Sequence, residues 1–392
     1  MESIKDKIAI IGMGCTRFGE NWSQDGADMV IDAVYEAYRD AGLGPSDIQA
    51  AWVGTLRSGL SGTLLADSLK LKSIPITRVE NQCTTGHEAL RNACFGVASG
   101  MYDIALAVGF EKLKDTGFPG MGVGRPPHPV WQQHWTSPSA FAYIAVRYFK
   151  DFGLSPEQGK RIIGQIAVKN HRNGAQVPKA HLRREVTLEQ VLAAPIISSP
   201  LGLFDCCGTS DGAAAAIICR GDMARSFRED PIYIKGIGLA VDSMMPFFRP
   251  GFDYLGFEAS RSAARQAYEQ AGITDPRREL DLAEVHDCFT ITELVNYEDL
   301  GLSPRGRAWQ DVEAGTFTLE GELPVNTDGG LKCFGHPVGA SGIRMAYEVY
   351  KQLQGKAELA QRQVRNPRLG LTHTLGGPPQ VSCVAILGNE KG

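Results

Sequence analysis

Two loops far apart in the chain carry side chains capable of covalent chemistry. They are Glu80-Asn81-Gln82-Cys83-Thr84-Thr85-Gly86-His87 and Gly335-His336-Pro337-Val338-Gly339-Ala340-Ser341-Gly342, with His286-Asp287-Cys288-Phe289 between them. Each loop sets a cysteine or histidine beside small residues at the expected start of a helix, where unpaired N–H groups and the helix dipole stabilise a thiolate or an oxyanion. A thiol nucleophile, imidazole and oxyanion donors are what acyl transfer through a cysteine requires. Taken singly, each cysteine can also be read as a buried packing residue and each histidine as a hydrogen-bonded structural one.

The elements that must position these residues read as a repeat. The first part has a short strand pattern at Lys7 to Ile11, a Gly-rich loop, and an amphipathic helix from Ala27 to Ala41. Gly42 supplies the stop and Ile48 to Val53 the next strand. From Pro231 the order recurs: strand Ile232 to Ile237, helix Glu258 to Ala271, stop at Gly272, strand Leu280 to Val285. The second parts also match. Cys83 and His336 each precede a helix pattern, Gly86 to Gly100 and Gly339 to Leu353, and each helix leads to an apolar strand, Ile104 to Gly109 and Leu369 to Gly376. A duplicated α/β unit is the expectation, with the two helix N-termini brought toward one centre.

Between the repeats, residues Thr116 to Pro138 are rich in Gly, Pro, His and Trp, Pro156 to His171 reads as a helix, and Asn170 to Arg184 is basic. This segment reads as an inserted loop domain covering the site. The division expected is an N-terminal half from 1–115 and 205–230, an insertion at 116–204, and a C-terminal half at 231–392, with the strand Ala213 to Cys219 closing the first half.

The chain has 392 residues, 43% hydrophobic, with 45 glycines and a formal charge of −4. Its length suits two domains or a duplication, and its charge offers no electrostatic case for nucleic acid or an acidic membrane. The apolar run Ile8 to Ile11 is too short for a signal peptide, and no stretch approaches a membrane span, so a soluble, cytoplasmic protein is expected. Nine cysteines show no metal-ligand spacing and suggest no disulfide framework, so no metal site is expected. Cys15, Cys94, Cys219 and Cys383 lie in apolar patterns and read as core. Gly12-Met13-Gly14 lacks the third glycine of a dinucleotide fingerprint.

With these residues in view, the chain resembles the thiolase superfamily, in the branch of sterol-carrier-protein-linked and archaeal or bacterial thiolases. The resemblance rests on the Cys83 loop, Ser210-Asp211-Gly212-Ala213-Ala214, His286-Asp287-Cys288-Phe289, Gly329-Gly330-Leu331-Lys332 leading into Gly335-His336-Pro337, and Leu375-Gly376-Gly377. It implies two αβαβαββ halves in five layers, an inserted loop domain and a homodimer. The implied reaction is cleavage of a 3-oxoacyl-CoA by CoA, or the reverse condensation, with CoA as co-substrate and no permanently bound cofactor.

By the same resemblance Cys83 is the nucleophile and His336 its base, while Cys288 is the second acid/base. Many thiolases place that cysteine in a Cys-x-Gly loop near the C-terminus, where this chain has Thr374-Leu375-Gly376. His286 and His336 would polarise a thioester oxygen, and the backbone N–H groups of Cys83 and Gly376 would form a second oxyanion hole. Cys207 and Ser210 would lie near pantetheine. Lys169, Arg172, Arg183 and Arg184, with His171 and His181, are candidates for CoA phosphate contacts, against the alternative of a solvated charged face.

Phe118, His128, Trp131, His134 and Trp135 suggest a pocket for a bulky, aromatic or dicarboxylic acyl group. The branch includes a thiolase that cleaves benzoylsuccinyl-CoA, and relatives of this type often work with a separate small zinc-ribbon/OB-fold subunit, which would hold any zinc. The competing expectations are synthesis of acetoacetyl-CoA by the same residues, and a non-catalytic acyl-CoA or lipid-binding protein.

Overall fold

The computed structural model describes residues 3–117, 136–243, 249–377 and 379–392. The first repeat runs β1 (Ile8–Cys15), α1 (Gly26–Ala41), β2 (Ala50–Gly54), α2 (Thr63–Leu69), β3 (Ile76–Val79), α3 (Thr85–Ala98), β4 (Ile104–Glu111). The chain then leaves the sheet for α4 (Ser137–Asp151), α5 (Pro156–Ala175), α6 (Leu188–Ala193) and the hairpin β5 (Ile196–Ser198)–β6 (Leu201–Gly202), and returns as β7 (Gly212–Arg220). The second repeat is β8 (Ile232–Val241), α7 (Glu258–Ala271), α8 (Pro276–Glu279), β9 (Leu282–Glu284), α9 (Thr290–Asp299), α10 (Ala308–Glu313), α11 (Gly330–Cys333), α12 (Ser341–Leu353), β10 (Leu369–Gly376), β11 (Val381–Gly388).

Strand pairing exposes the duplication directly. The order is β3-β2-β4-β7-β1-β8-β11-β10-β9, so each half lies on one side of a short β1–β8 seam at Ala9–Tyr233 and Ile10–Ile232. Outward from the seam the first half runs β1, β7, β4, β2, β3 and the second β8, β11, β10, β9. In both, the seam strand is antiparallel to the next, which is antiparallel to the third, and the third and fourth are parallel. Val325 completes the match by bridging Ala283 in parallel at the position of β3.

Alternation along the strands sorts side chains into layers. On β7, Ala213, Ala215 and Ile217 pack with α1, while Ala214, Ala216 and Ile218 pack with α3 and α12. On β11, Cys383, Ala385 and Leu387 face α3 and α12, and Val384 and Ile386 face α7. Five layers result: α1 and α2, the first half of the sheet, the α3–α12 pair, the second half of the same sheet, and α7 with α9. Cys15, Cys94, Cys219 and Cys383 are all core residues.

The Gly-rich stretch expected as a loop after Ile11 is strand. β1 continues through Gly12-Met13-Gly14, because a Cβ at Gly12 or Gly14 would lie 2.5 Å from the Ala37 carbonyl or 2.0 Å from that of Ala33 in α1. Gly236 and Gly238 in β8 meet the Ala267 and Ala263 carbonyls of α7 at 2.2 and 2.0 Å. These glycines let a helix lie directly on a strand, and the repeat uses the device twice.

Among the described residues, no helix is long and apolar enough to cross a membrane. Phe118, His128, Trp131, His134 and Trp135 lie outside the described residues.

Candidate active site

The centre of the site is where the middle-layer helices begin. A Cβ at Gly86 would stand 2.8 Å from the Gly339 carbonyl and 2.9 Å from the Gly342 amide, and one at Gly342 would stand 2.4 Å from the His87 amide. Bare backbone therefore touches bare backbone where α3 and α12 start. This contact brings the Cys83 and His336 loops to one centre.

Cys83 precedes α3 in a turn held by Thr85, whose hydroxyl accepts from the Asn81 amide at 2.9 Å and donates to the Gln82 carbonyl at 2.5 Å. Gln82 is left-handed, φ +53°, a conformation that costs about 1–3 kcal/mol and is found at constrained functional turns. The thiol is 7% exposed. Burial pushes its pKa up to about 12, against the lowering effect of the Gly377 N–H and of its own. Gly377 has φ +70°, and a Cβ there would lie 2.0 Å from Gln82 Oε1. The Gly376-Gly377 turn thus closes over the Cys83 loop, with the Gly377 N–H the largest influence that favours the thiolate.

His336 is oriented by Ser341. The Ser341 hydroxyl donates to the Pro337 carbonyl at 2.9 Å, so at 2.7 Å from His336 Nδ1 it accepts. Nδ1 therefore carries the hydrogen and Nε2 presents a lone pair. Nε2 is buried without a partner. Burial, reinforced by the Arg344 charge, lowers the pKa of His336 to about 3. The result is a neutral imidazole with its basic atom bare.

His286 follows β9 and lies edge-on to His336, ring centres 5.3 Å apart. Its Nδ1 is also buried and unpartnered, and burial, with His336, His373, His87 and Arg344 nearby, holds it neutral. Asn296 donates to its carbonyl at 3.0 Å, and its own amide donates to His373 Nδ1 at 3.4 Å. Asp287, buried beside it, accepts from the Leu331 amide at 2.6 Å, the Lys332 amide at 3.2 Å and Asn170 Nδ2 at 2.8 Å. That carboxylate pins the His286–Cys288 turn to the N-terminus of α11 and to α5.

Cys288 is 8% exposed, with Thr292 Oγ1 3.9 Å from its sulfur. Burial raises its pKa, and the neighbouring thiols of Cys207 and Cys83 add to the shift. Cys207 is half-buried and donates its amide to the Cys288 carbonyl at 2.9 Å. Cys83, Cys207 and Cys288 thus lie near enough to influence one another, and His286 faces His336.

The family descriptions "Thiolase, N-terminal domain" and "Thiolase C-terminal domain-like" match residues 8–222 and 251–389. The chain belongs to the thiolase family. It is 38% identical to the acetyl-CoA acetyltransferase of Methanothermobacter thermautotrophicus, over 97% of this chain and 98% of that protein. To the benzoylsuccinyl-CoA thiolase subunit BbsB of Thauera aromatica it is 31% identical, over 95% of this chain and 96% of the other. The fold matches the solved Ltp2-ChsH2(DUF35) aldolase with a TM-score of 0.86 at 24% identity, covering 100% of both chains. The family and these relatives make the protein an acyltransferase of the thiolase class.

In this thiolase the basic residues between β4 and β7 are unevenly available. Lys169 is directed inward, donating to Glu293 at 2.7 Å and the Val325 carbonyl at 2.6 Å. Arg172 pairs with Glu320 at 2.7 Å on the surface. His171 Nδ1 lies 2.8 Å from the Arg184 carbonyl and is buried. Arg183 and Arg184 are exposed. Ser210 is buried under Gly335 with its hydroxyl 2.9 Å from His181 Nδ1, so it braces the His336 loop. The contacts of Ser341, Gly377, Asp287, Asn170 and His373 emerge only from the fold. Ser341, Gly377 and Asp287 stand within the quoted motifs, whereas Asn170 and His373 lie outside them.

Proposed function

We propose that this thiolase cleaves a bulky 3-oxoacyl-CoA, aromatic or dicarboxylic in its acyl part, with CoA. The observation that carries the mechanism is the Ser341–His336 pair, which leaves a basic Nε2 bare beside the Cys83 loop. Nε2 takes the Cys83 proton as the sulfur attacks the 3-oxo carbon. The bond between C2 and C3 breaks, and its electron pair passes into the thioester enolate. His286 and protonated His336 hold the enolate oxygen, and the Cys288 thiol delivers its proton to C2. In the second half Cys288, now a thiolate, takes the proton of incoming CoA. The CoA sulfur attacks the acyl-Cys83 thioester, and Cys83 leaves with the proton held by His336. The N–H groups at Cys83 and the Gly376-Gly377 turn receive the oxyanion in both halves.

We also take 116–204 as the inserted loop domain. Its α5 reaches the site through Asn170 on Asp287 and Asn173 on the Asn326 carbonyl, which supports a role in shaping the pocket as well as covering it. We take Cys207 to lie beside pantetheine and Arg183 and Arg184, whose exposure supports the reading, to meet the CoA phosphates. CoA is a co-substrate here. A homodimer through the free edge of β3 is supported by the exposed Leu60 and Phe95. A small zinc-ribbon/OB-fold partner is supported by relatives whose names carry a second component. A cytoplasmic location is the corresponding reading of compartment.

The substrate reading is tested by following loss of 3-oxoacyl-CoA with CoA across acetoacetyl, medium-chain, aromatic and dicarboxylic substrates. Highest kcat/KM on an aromatic or dicarboxylic member supports it. A preference for acetoacetyl-CoA overturns it in favour of an acetyl-specific enzyme.

A further inference from the structure

His87 stands in the first turn of α3, four residues beyond Cys83, and is 1% exposed. Its two ring nitrogens are both engaged, Nδ1 with Thr374 Oγ1 at 2.7 Å and Nε2 with Thr372 Oγ1 at 2.8 Å. Both hydroxyls belong to β10 and point to the same face of the sheet. On its other side the ring meets α12, where a Cβ at Gly342 would lie 2.9 Å from His87 Cγ. The imidazole is therefore wedged among three elements, and each bears one part of the site: α3 carries Cys83, β10 ends in Gly376 beside Gly377, and α12 follows His336.

A neutral imidazole offers one donor and one acceptor, and a threonine hydroxyl can meet either. The strut is satisfied in either tautomer, and burial lowers the ring's pKa to about 3, so it stays neutral wherever the enzyme works. β10 is held along its length by β11 and β9, and the two bonds at adjacent positions on one face tie its C-terminal end to the start of α3. The Gly377 amide lies three residues past Thr374, just beyond the last paired residue, Gly376.

We propose that His87 is a positioning residue for the acyl-transfer reaction, holding β10 against α3 so that the Gly377 N–H stays aimed at the Cys83 sulfur. It touches no reacting atom and acts through Thr374 and the glycine turn. This rests on Cys83 as nucleophile, but its direct readout, the ionisation of that thiol, requires no substrate.

The test compares the full-length protein with His87→Leu, His87→Gln, Thr374→Val and Thr372→Val. The rate of Cys83 alkylation by iodoacetamide is measured against pH, with the site assigned by peptide mass. Where turnover is found, kcat and KM are measured separately. Loss of the aimed N–H removes a group that stabilises the thiolate, so His87→Leu and Thr374→Val should slow alkylation at fixed pH by about 10-fold or more. Their kcat should fall toward the roughly 10²-fold known for losing an oxyanion donor, with KM unchanged. Thr372→Val, farther from the turn, should do less, and His87→Gln, which keeps a donor and an acceptor, should recover most of the loss.

Thr374→Val is isosteric and keeps the imidazole, so it carries the test if His87→Leu does not fold. An alkylation profile unchanged in Thr374→Val, even with a lowered Tm, would overturn the proposal and leave His87 as packing. If the parent shows no thiolase turnover, the alkylation profiles still decide the positioning role, so failure of the substrate reading is seen separately.

Discussion

The resting enzyme should hold Cys83 as a thiol and His336 as a neutral imidazole, not as an ion pair. Burial disfavours the thiolate and pushes its pKa up to about 12, and burial with the Arg344 charge disfavours the imidazolium and pushes its pKa down to about 3. A free thiol titrates near ~8.5, so at neutral pH the thiolate population of Cys83 falls short of it by roughly 10³-fold. The perturbation is pH, from 6 to about 10, and the assay is iodoacetamide alkylation mapped to the Cys83 peptide, with Cys83→Ala as control. The logarithm of the rate should climb with unit slope and without a plateau. Neither group should ionise between about pH 5 and 9, so neither should place a limb in kcat/KM across that range. A plateau with a midpoint at or below about pH 8 would refute the reasoning. It would mean that a resting ion pair, rather than proton transfer during attack, supplies the nucleophile.

Three substitutions probe the supports of the site. Ser341→Ala frees His336 Nδ1 and with it the tautomer that bares Nε2. kcat should fall about 10- to 10²-fold at constant KM, part of the 10²–10⁴ that general-base catalysis supplies, and an unchanged kcat would count against His336 as base. Arg344 is fully buried with Glu284 at 2.9 Å and Asp328 as partners. Arg344→Met strands both carboxylates and should cost about 3–5 kcal/mol in urea unfolding, whereas a loss under about 1 kcal/mol would show that the pair needs no cation. Gly342→Ala drives a methyl to 2.4 Å from the His87 amide. It should lower stability by about 1–3 kcal/mol and reduce activity with it, so a parent-like Tm and kcat would mean that α3 and α12 separate readily.

The repeat was legible because it depends on local signals. Gly42 and Gly272 both end their helices in the left-handed conformation with the amide returned to a tyrosine carbonyl, Tyr38 or Tyr268. The first Gly-x-Gly pair misled for a physical reason. A glycine that opens a turn and one that lets a helix rest on a strand look alike in sequence, and Gly12-Met13-Gly14 is the second kind. Cys83, His286, Cys288 and His336 were visible as reactive types in small-residue loops. Their supports were not, since His87 meets Thr372 and Thr374 across more than 280 positions of chain and Asn170 meets Asp287 across 117. Lys169 looked like a free cation in a basic stretch, but its partner Glu293 is 124 residues away. Charge patterns announce cations without announcing which of them the fold has already paired.

Intact-protein mass after mixing with 3-oxoacyl-CoAs tests the covalent mechanism most directly, with and without CoA and with Cys83→Ala beside the parent. The account predicts an acyl adduct in the parent that CoA discharges, and none in Cys83→Ala. An adduct that persists in Cys83→Ala, or turnover of 3-oxoacyl-CoA by that variant at the parent's rate, would contradict it.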